Sequence, residues 1–312
     1  MNIEKYTKIL LNEDVVAIPT ETVYGLAGSI SSEKALHKIF KTKERPYFDP
    51  LIVHVSSIEQ AKEYVTDWTE ITEILAQNFW PGPLTFVLPK NDKVSDTITS
   101  GLNTVAIRMP NHIKTLKLIE SLGTPVAAPS ANPFKKTSPT TTAHVSEYFP
   151  DISVMDGGEC QIGIESTIIG IDDKKITIYR PGMVTKSQIQ TTLMKYNIEI
   201  EVCQQESPVA PGHLKHHYMP ETPIIAYETN DIKLALTQIN SNTEMKKYMS
   251  HPYIWNLPDD PTRVAREFYG LLKNIDQREF SSILILYSKN YTEDDKWNGI
   301  LNRLEKAASF SF

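Results

Sequence analysis

Cysteine is nearly missing from this chain. Only Cys160 and Cys203 occur in 312 residues, with no CxxC spacing. That excludes a disulfide framework and a thiolate metal site, and makes a reducing, cytoplasmic compartment the default expectation. Long apolar runs are missing too: no segment approaches the roughly 18 residues of a membrane-spanning helix. The opening MNIEKYTKILLNED carries charges at Glu4, Lys5 and Lys8 and has no apolar signal core. Positive charge is in deficit, with 32 Lys and Arg against 38 Asp and Glu and a net charge of −6. A global basic field for gripping nucleic acid is therefore excluded, and any anion site must be local. No glycine precedes a lysine, so a Walker-type phosphate loop is absent, as are GxGxxG, HExxH and GxSxG.

What is present is an ordinary globular composition, 40% hydrophobic and 22% charged, long enough for one large or two ordinary domains. Over the first two hundred residues, β-rich runs alternate with helical patterns. VVAIP (15–19), PLIVHVS (50–56), LTFVLPK (84–90), TVAIRMP (104–110) and PVAAP (125–129) read as strands. SSEKALHKIFKTK (31–43), TEITEILAQNF (69–79) and HIKTLKLIESLG (112–123) read as helices, and STIIGID (166–172) with KITIYRP (175–181) as a two-strand finish. Several connections are too short for a crossover helix, so the fold class is α/β with a mixed sheet. Between 204 and 223 the texture changes to four prolines, one glycine and three histidines. A smaller α/β pattern follows. The expected organisation is 1–203 as the main domain, 204–222 as a linker or lid, and 223–312 as a small C-terminal domain.

Five segments carry residues that a core or turn does not need. PTETVYGLAG (19–28) puts hydroxyls and glycines at the carboxyl end of a buried strand, where open sheets bind ligands. KTKERPYFDPLIVH (41–54) concentrates Lys41, Lys43 and Arg45 before two prolines, with His54 on the next strand. If the helix unwinds there, the three cations share one side. TVAIRMP buries Arg108, which costs several kcal/mol unless it faces a ligand or an internal carboxylate; the ligand is the favoured reading. PVAAPSANPFKKTSPTT offers Ser130, Asn132 and Ser138, and GIESTII with YRPG adds Glu165, Ser166, Thr167 and Arg180. The constellation suits a polyanion with a polar appendage and contains no recognisable hydrolase triad.

In order along the chain, PTETVYGL, KxRP with PLIVH, WPGPLT, VAIRMP, APSAN with SPT, and GIESTI with YRPG resemble the YrdC domain over about residues 10–200. The tail, through PVAPGHLKHHYMPETP and NRLEKAA, resembles the second domain of the long form of the threonylcarbamoyl-AMP synthase family. The resemblance implies a YrdC-like twisted mixed sheet with flanking helices, followed by a smaller Rossmann-like α/β domain. It also implies that L-threonine, bicarbonate or CO2 and ATP, carried with Mg²⁺, give threonylcarbamoyl-AMP and pyrophosphate. A downstream transferase then modifies the adenosine beside the tRNA anticodon.

Matched by motif, Lys43 and Arg45 are the implied catalytic cations, and with Ser130 and Asn132 they form a tetrad around the nucleotide. Thr104, Ser138, Arg180 and the linker residue Tyr218 are further ATP contacts. Thr22, His54, Arg108, Ala128 and Ser166 match the threonine side. Asp49 departs from the family pattern, standing where asparagine is usual, and is kept among the ATP contacts. The metal ligands stay open. The linker is read as a lid in preference to a tether. An RNA-binding module with weak RNA contact and a threonine- or ATP-sensing regulator are the competing functions. Carbamoyl-AMP chemistry of the hydrogenase-maturation type is disfavoured by the missing CxxC pairs.

Overall fold

The computed structural model describes residues 3–172, 174–205, 217–229, 231–243 and 245–312. The linker segment 206–216 lies outside them, and with it most of the region read as a lid. The described residues form two compact units. One comprises 3–134 and 138–205, and the other 135–137 and 217–312.

The first unit is built on a nine-stranded sheet: β1 (Val16–Ile18), β2 (Gly25–Ser29), β3 (Ile52–His54), β4 (Leu84–Pro89), β5 (Thr104–Arg108), β6 (Val126–Ala127), β7 (Thr167–Ile171), β8 (Lys175–Arg180) and β9 (Glu201–Gln204). Their order across the sheet is β1-β2-β6-β3-β5-β4-β7-β8-β9. The sheet is mixed: β3/β5, β4/β7 and β8/β9 are parallel, and the other neighbours antiparallel. The expected mixed α/β fold is therefore present. Two of its strands depart from the sequence reading. The glycines read as a ligand-side turn lie in β2, where a Cβ on Gly25 would sit 3.2 Å from that of Ala128, so its bareness serves close packing. The two-strand finish is also extended by β9.

Strand alternation decides what each face carries. Val53, Phe86, Ile107, Ile169 and Ile178 belong to the main core, where they pack with Leu36, Ile39 and Phe40 of the helix Glu33–Lys43 and with Leu75 and Leu193 of two further helices. The intervening residues face the other way. There Ile52, Val87, Ala106 and Ile168 form a small apolar floor. His54 and Arg108 continue the same alternation beyond it. At one end this second face is sealed by the helices Ile3–Leu11 and Ile113–Leu122, through Leu10, Leu118 and Ile119. Gly123 ends the latter in a left-handed cap, as its sequence implies.

The second unit has a four-stranded sheet, β10 (Ile224–Glu228), β11 (Pro252–Asn256), β12 (Ser282–Tyr287) and β13 (Phe310–Ser311), in the order β11-β12-β10-β13 with every pair parallel. Its helix Pro261–Asp276 starts at the Asp260 cap with proline in the first turn, a strong start signal already visible in the sequence. This all-parallel sheet with its intervening helices is the smaller α/β domain expected. No helix among the described residues is long and apolar enough to cross a membrane.

Candidate active site

The cations gather first where the helix Glu33–Lys43 ends. As the sequence pattern predicts, it runs through Lys43 and stops before the prolines, closed by Glu44 in a left-handed conformation, φ 53°. Lys41 is thereby left exposed while Lys43 and Arg45 turn inward. Lys43 is 1% exposed, and its Nζ donates to the backbone carbonyls of Ser130 (2.6 Å) and Asn132 (2.5 Å). Burial, reinforced by the neighbouring Arg45 guanidinium, holds its pKa well below the ordinary lysine value. The chain then turns through Pro46, whose carbonyl accepts from the Asp49 N–H. This brings Asp49 back beside Arg45, with Nη2 and Oδ2 3.0 Å apart. Arg45 also donates to the carbonyls of Asp49 and Pro50.

Asp49, expected at the nucleotide, is 0% exposed and faces Arg45. The Arg45 guanidinium gives this buried carboxylate its counter-charge. Burying two charges together is tolerable where burying one is not.

A second cluster forms where β5 meets β3. His54 and Arg108 are register partners on these parallel strands, so both project from one face. Arg108 donates from Nε to the Gly82 carbonyl (3.1 Å) and from Nη1 to Thr22 Oγ1 (3.0 Å). Its Nη2 lies 2.7 Å from Glu21 Oε1. The sequence reading preferred a ligand to an internal carboxylate as the partner of Arg108; the carboxylate is there. Thr22 is fixed in turn by Thr20, whose hydroxyl caps the 20–23 turn and lies 2.8 Å from Thr22 Oγ1. His54 is fully buried, and burial together with the Arg108 charge depresses its pKa to about 3. It is a neutral imidazole, with Nδ1 3.2 Å from the Ile52 carbonyl.

A third group closes the far side. Ser166, just before β7, lies 2.8 Å from Thr85 Oγ1 and accepts from Arg180 Nη2 at 3.1 Å. Arg180 Nε also donates to the Ser166 carbonyl. Ser138 donates to Glu165 Oε1 at 2.6 Å, and the Glu165 charge is felt by Lys43. Ala128 is anchored by its N–H to the Ile52 carbonyl. Thr104 shares the face of Arg108 but sits at the opposite end of β5, about 13 Å away at the strand rise. Tyr218 belongs to the second unit, where its ring is buried between His217, Tyr269 and the Arg303 guanidinium.

The first unit thus brings together Lys43, Arg45, Ser130 and Asn132 around one knot, and Thr22, His54 and Arg108 around another. The carboxylate that the sequence does not single out is Glu21. With Glu165 and Asp49 it is one of the buried acids that lie, in the first unit, among the buried cations Lys43, Arg45, Arg108 and Arg180. A buried arginine demands a counter-charge, and Glu21, next to Thr22 at the mouth of a buried strand, was the signal available. Among the described residues no group of His, Cys, Asp and Glu forms a metal-binding cluster.

Fold and site together define a two-unit α/β protein with a YrdC-type sheet and a buried site of paired charges. A family profile described as "Telomere recombination" (Sua5_yciO_yrdC) matches residues 8–182, and one described as "Threonylcarbamoyl-AMP synthase, C-terminal domain" matches 184–309. The Threonylcarbamoyl-AMP synthase of Pyrococcus abyssi is 36% identical over 95% of this chain and 91% of its own length. That of Bacillus subtilis is 35% identical over 96% and 91%. The crystal structure of P. abyssi Sua5 complexed with L-threonine superposes with a TM-score of 0.88 at 33% identity, covering 99% of this chain and 96% of that one. The chain belongs to the threonylcarbamoyl-AMP synthase family.

Proposed function

We propose that this chain makes L-threonylcarbamoyladenylate from L-threonine, bicarbonate or CO2 and ATP, with release of pyrophosphate. The neutral threonine amine adds to the carbon of CO2, giving a carbamate and releasing a proton. A carbamate oxygen then attacks the α-phosphorus of ATP, and the bond to pyrophosphate breaks. Such a step needs reactants held in line and positive charge beside the phosphate oxygens where negative charge builds, and no protein nucleophile.

The observation that carries the reading is the buried Lys43, suspended between the Ser130 and Asn132 carbonyls beside Arg45. In this reading, that tetrad, with Ser138, Arg180 and Thr104, receives ATP. Asp49 serves as the counter-ion that keeps Arg45 aimed, and the nucleotide role of Tyr218 rests on the family resemblance. Thr22, His54, Arg108, Ala128 and Ser166 receive threonine, whose carboxylate suits a guanidinium. Neutral His54 acts as a hydrogen-bonding group, since a pKa of about 3 leaves it uncharged at neutral pH. Mg²⁺ enters as part of the substrate, on the phosphates of ATP. The adenylate would pass to a tRNA-modifying transferase, which places the work in the cytoplasm.

The test is pyrophosphate release by the full chain. It should require ATP, threonine and bicarbonate together, with the adenylate recovered as product. ATP consumption that ignores threonine or bicarbonate would overturn the reading.

A further inference from the structure

Glu21 is 4% exposed, and neither carboxylate oxygen accepts a hydrogen bond. Oε1 touches Arg108 Nη2 at 2.7 Å but out of hydrogen-bond alignment, and Oε2 has no donor at all. A buried carboxylate oxygen left without a donor is costly, and native sites rarely keep one unless something else supplies the donor. The surroundings explain why the chain itself does not. Glu21 stands between Thr20 and Thr22, whose hydroxyls are engaged with each other and with the turn. Its own carbonyl is taken by the Ile162 N–H, so the backbone is held rigidly while the carboxylate is not. The neighbouring Cys160 is buried, and its thiol pKa is pushed up by burial and by the Glu21 charge, so it is a neutral neighbour.

Arg108 and Glu21 therefore present a positive and a negative group side by side on the face that also holds His54 and Thr22. An α-amino acid presents the complementary pair, a carboxylate and an ammonium separated by one carbon. We propose that Glu21 is a substrate-binding residue: its Oε2 accepts from the threonine ammonium while Arg108 takes the threonine carboxylate. The inference rests on the reading of Arg108 as a threonine contact. It assigns the unpartnered oxygen a donor, and it makes the site a receptor for the zwitterion rather than for any carboxylate. The amine is also held by an acceptor at the point where it must shed a proton to react.

The test compares the affinity of the full-length protein for L-threonine and for its deaminated analogue, 2,3-dihydroxybutanoate of matching configuration, by calorimetry. The unmodified protein should prefer threonine by about 10- to 100-fold, the worth of a charge-assisted hydrogen bond. Equal affinities would overturn the proposal without any variant. In Glu21→Gln the preference should collapse, with threonine weakened and the analogue unchanged or improved. Equal weakening of both ligands would instead make Glu21 a mere support for Arg108 and overturn the proposal. Should Glu21→Gln fail to fold, Glu21→Asp, which keeps the charge but withdraws it by one methylene, must reduce the same ratio. Arg108→Lys separates the two readings: unchanged binding of both ligands would remove Arg108 from the threonine site, whatever Glu21 does.

Discussion

At the scale of single residues, Arg45 and His54 give the clearest expectations. Arg45→Ala removes charge that the proposed function assigns to the phosphates, but it also strands Asp49, fully buried, without its cation. Losing one partner of a buried pair costs about 3–5 kcal/mol, so the single variant should both melt earlier and lose turnover. The double variant Arg45→Ala/Asp49→Asn should recover most of the melting temperature and none of the pyrophosphate release. Recovery of activity in the double variant would remove Arg45 from the chemistry. His54 is a matter of pH. Its pKa in the fold, about 3, lies below the ordinary 6.5, so between those values only the unfolded chain takes up the proton. The sign follows: the contribution of neutral His54 is full above pH 6.5 and is lost as pH falls toward 3. Denaturant titrations from pH 7 to 4 should show His54→Asn losing less stability than the parent, by up to about 1.4 kcal/mol per pH unit. Parallel curves would mean that the imidazole titrates in the fold.

At the scale of elements, the site depends on where strands stop. β5 ends at Arg108 and β3 at His54, and both residues project from the face opposite the main core. β7 and β8 pair with a register shift between Ile168 and Ile169, next to Ser166 and Arg180. The turn leaving β8 passes so close to the segment before β7 that a Cβ on Gly182 would lie 2.5 Å from the Thr167 amide and 2.8 Å from the Glu165 carbonyl. Gly182→Ala must therefore push the backbone carrying Glu165 and Ser166. A drop in pyrophosphate release of tenfold or more is expected, with only a modest loss of melting temperature. An active Gly182→Ala enzyme would show that the placement of Ser166 is not critical.

Seen whole, the molecule has two units with separate cores, one around β10 and β12 and one around the nine-stranded sheet. The cations read as the nucleotide site, Lys43, Arg45 and Arg180, and the threonine-side residues all lie in the first. Ending the chain after Gln205 should thus leave a cooperatively melting protein that still binds threonine, while recovery of intact adenylate falls. A truncated protein that forms and retains adenylate at the full rate would make the second unit dispensable to synthesis.

Much of this was legible in the residues alone. Hydrophobic periodicity located β3, β4, β5, β7 and β8 and the helix Glu33–Lys43, because burying one face demands a fixed spacing wherever the chain lies. Motifs such as KxRP and SAN marked the polar residues that a core has no use for. β2 stayed hidden because GLAGS has no side-chain signature of a strand, and β9 because EVCQ is four residues long with only Val202 buried. The pairing of charges was beyond the sequence for a different reason. Arg108 and Glu21 are 87 positions apart, and Lys43 and Asn132 are 89. Local pattern determined which residues are too polar for the interior. Only the tertiary fold, by deciding which distant strand ends meet, settled which of those charges neutralise one another, because electrostatic attraction depends on distance in space and is blind to order along the chain.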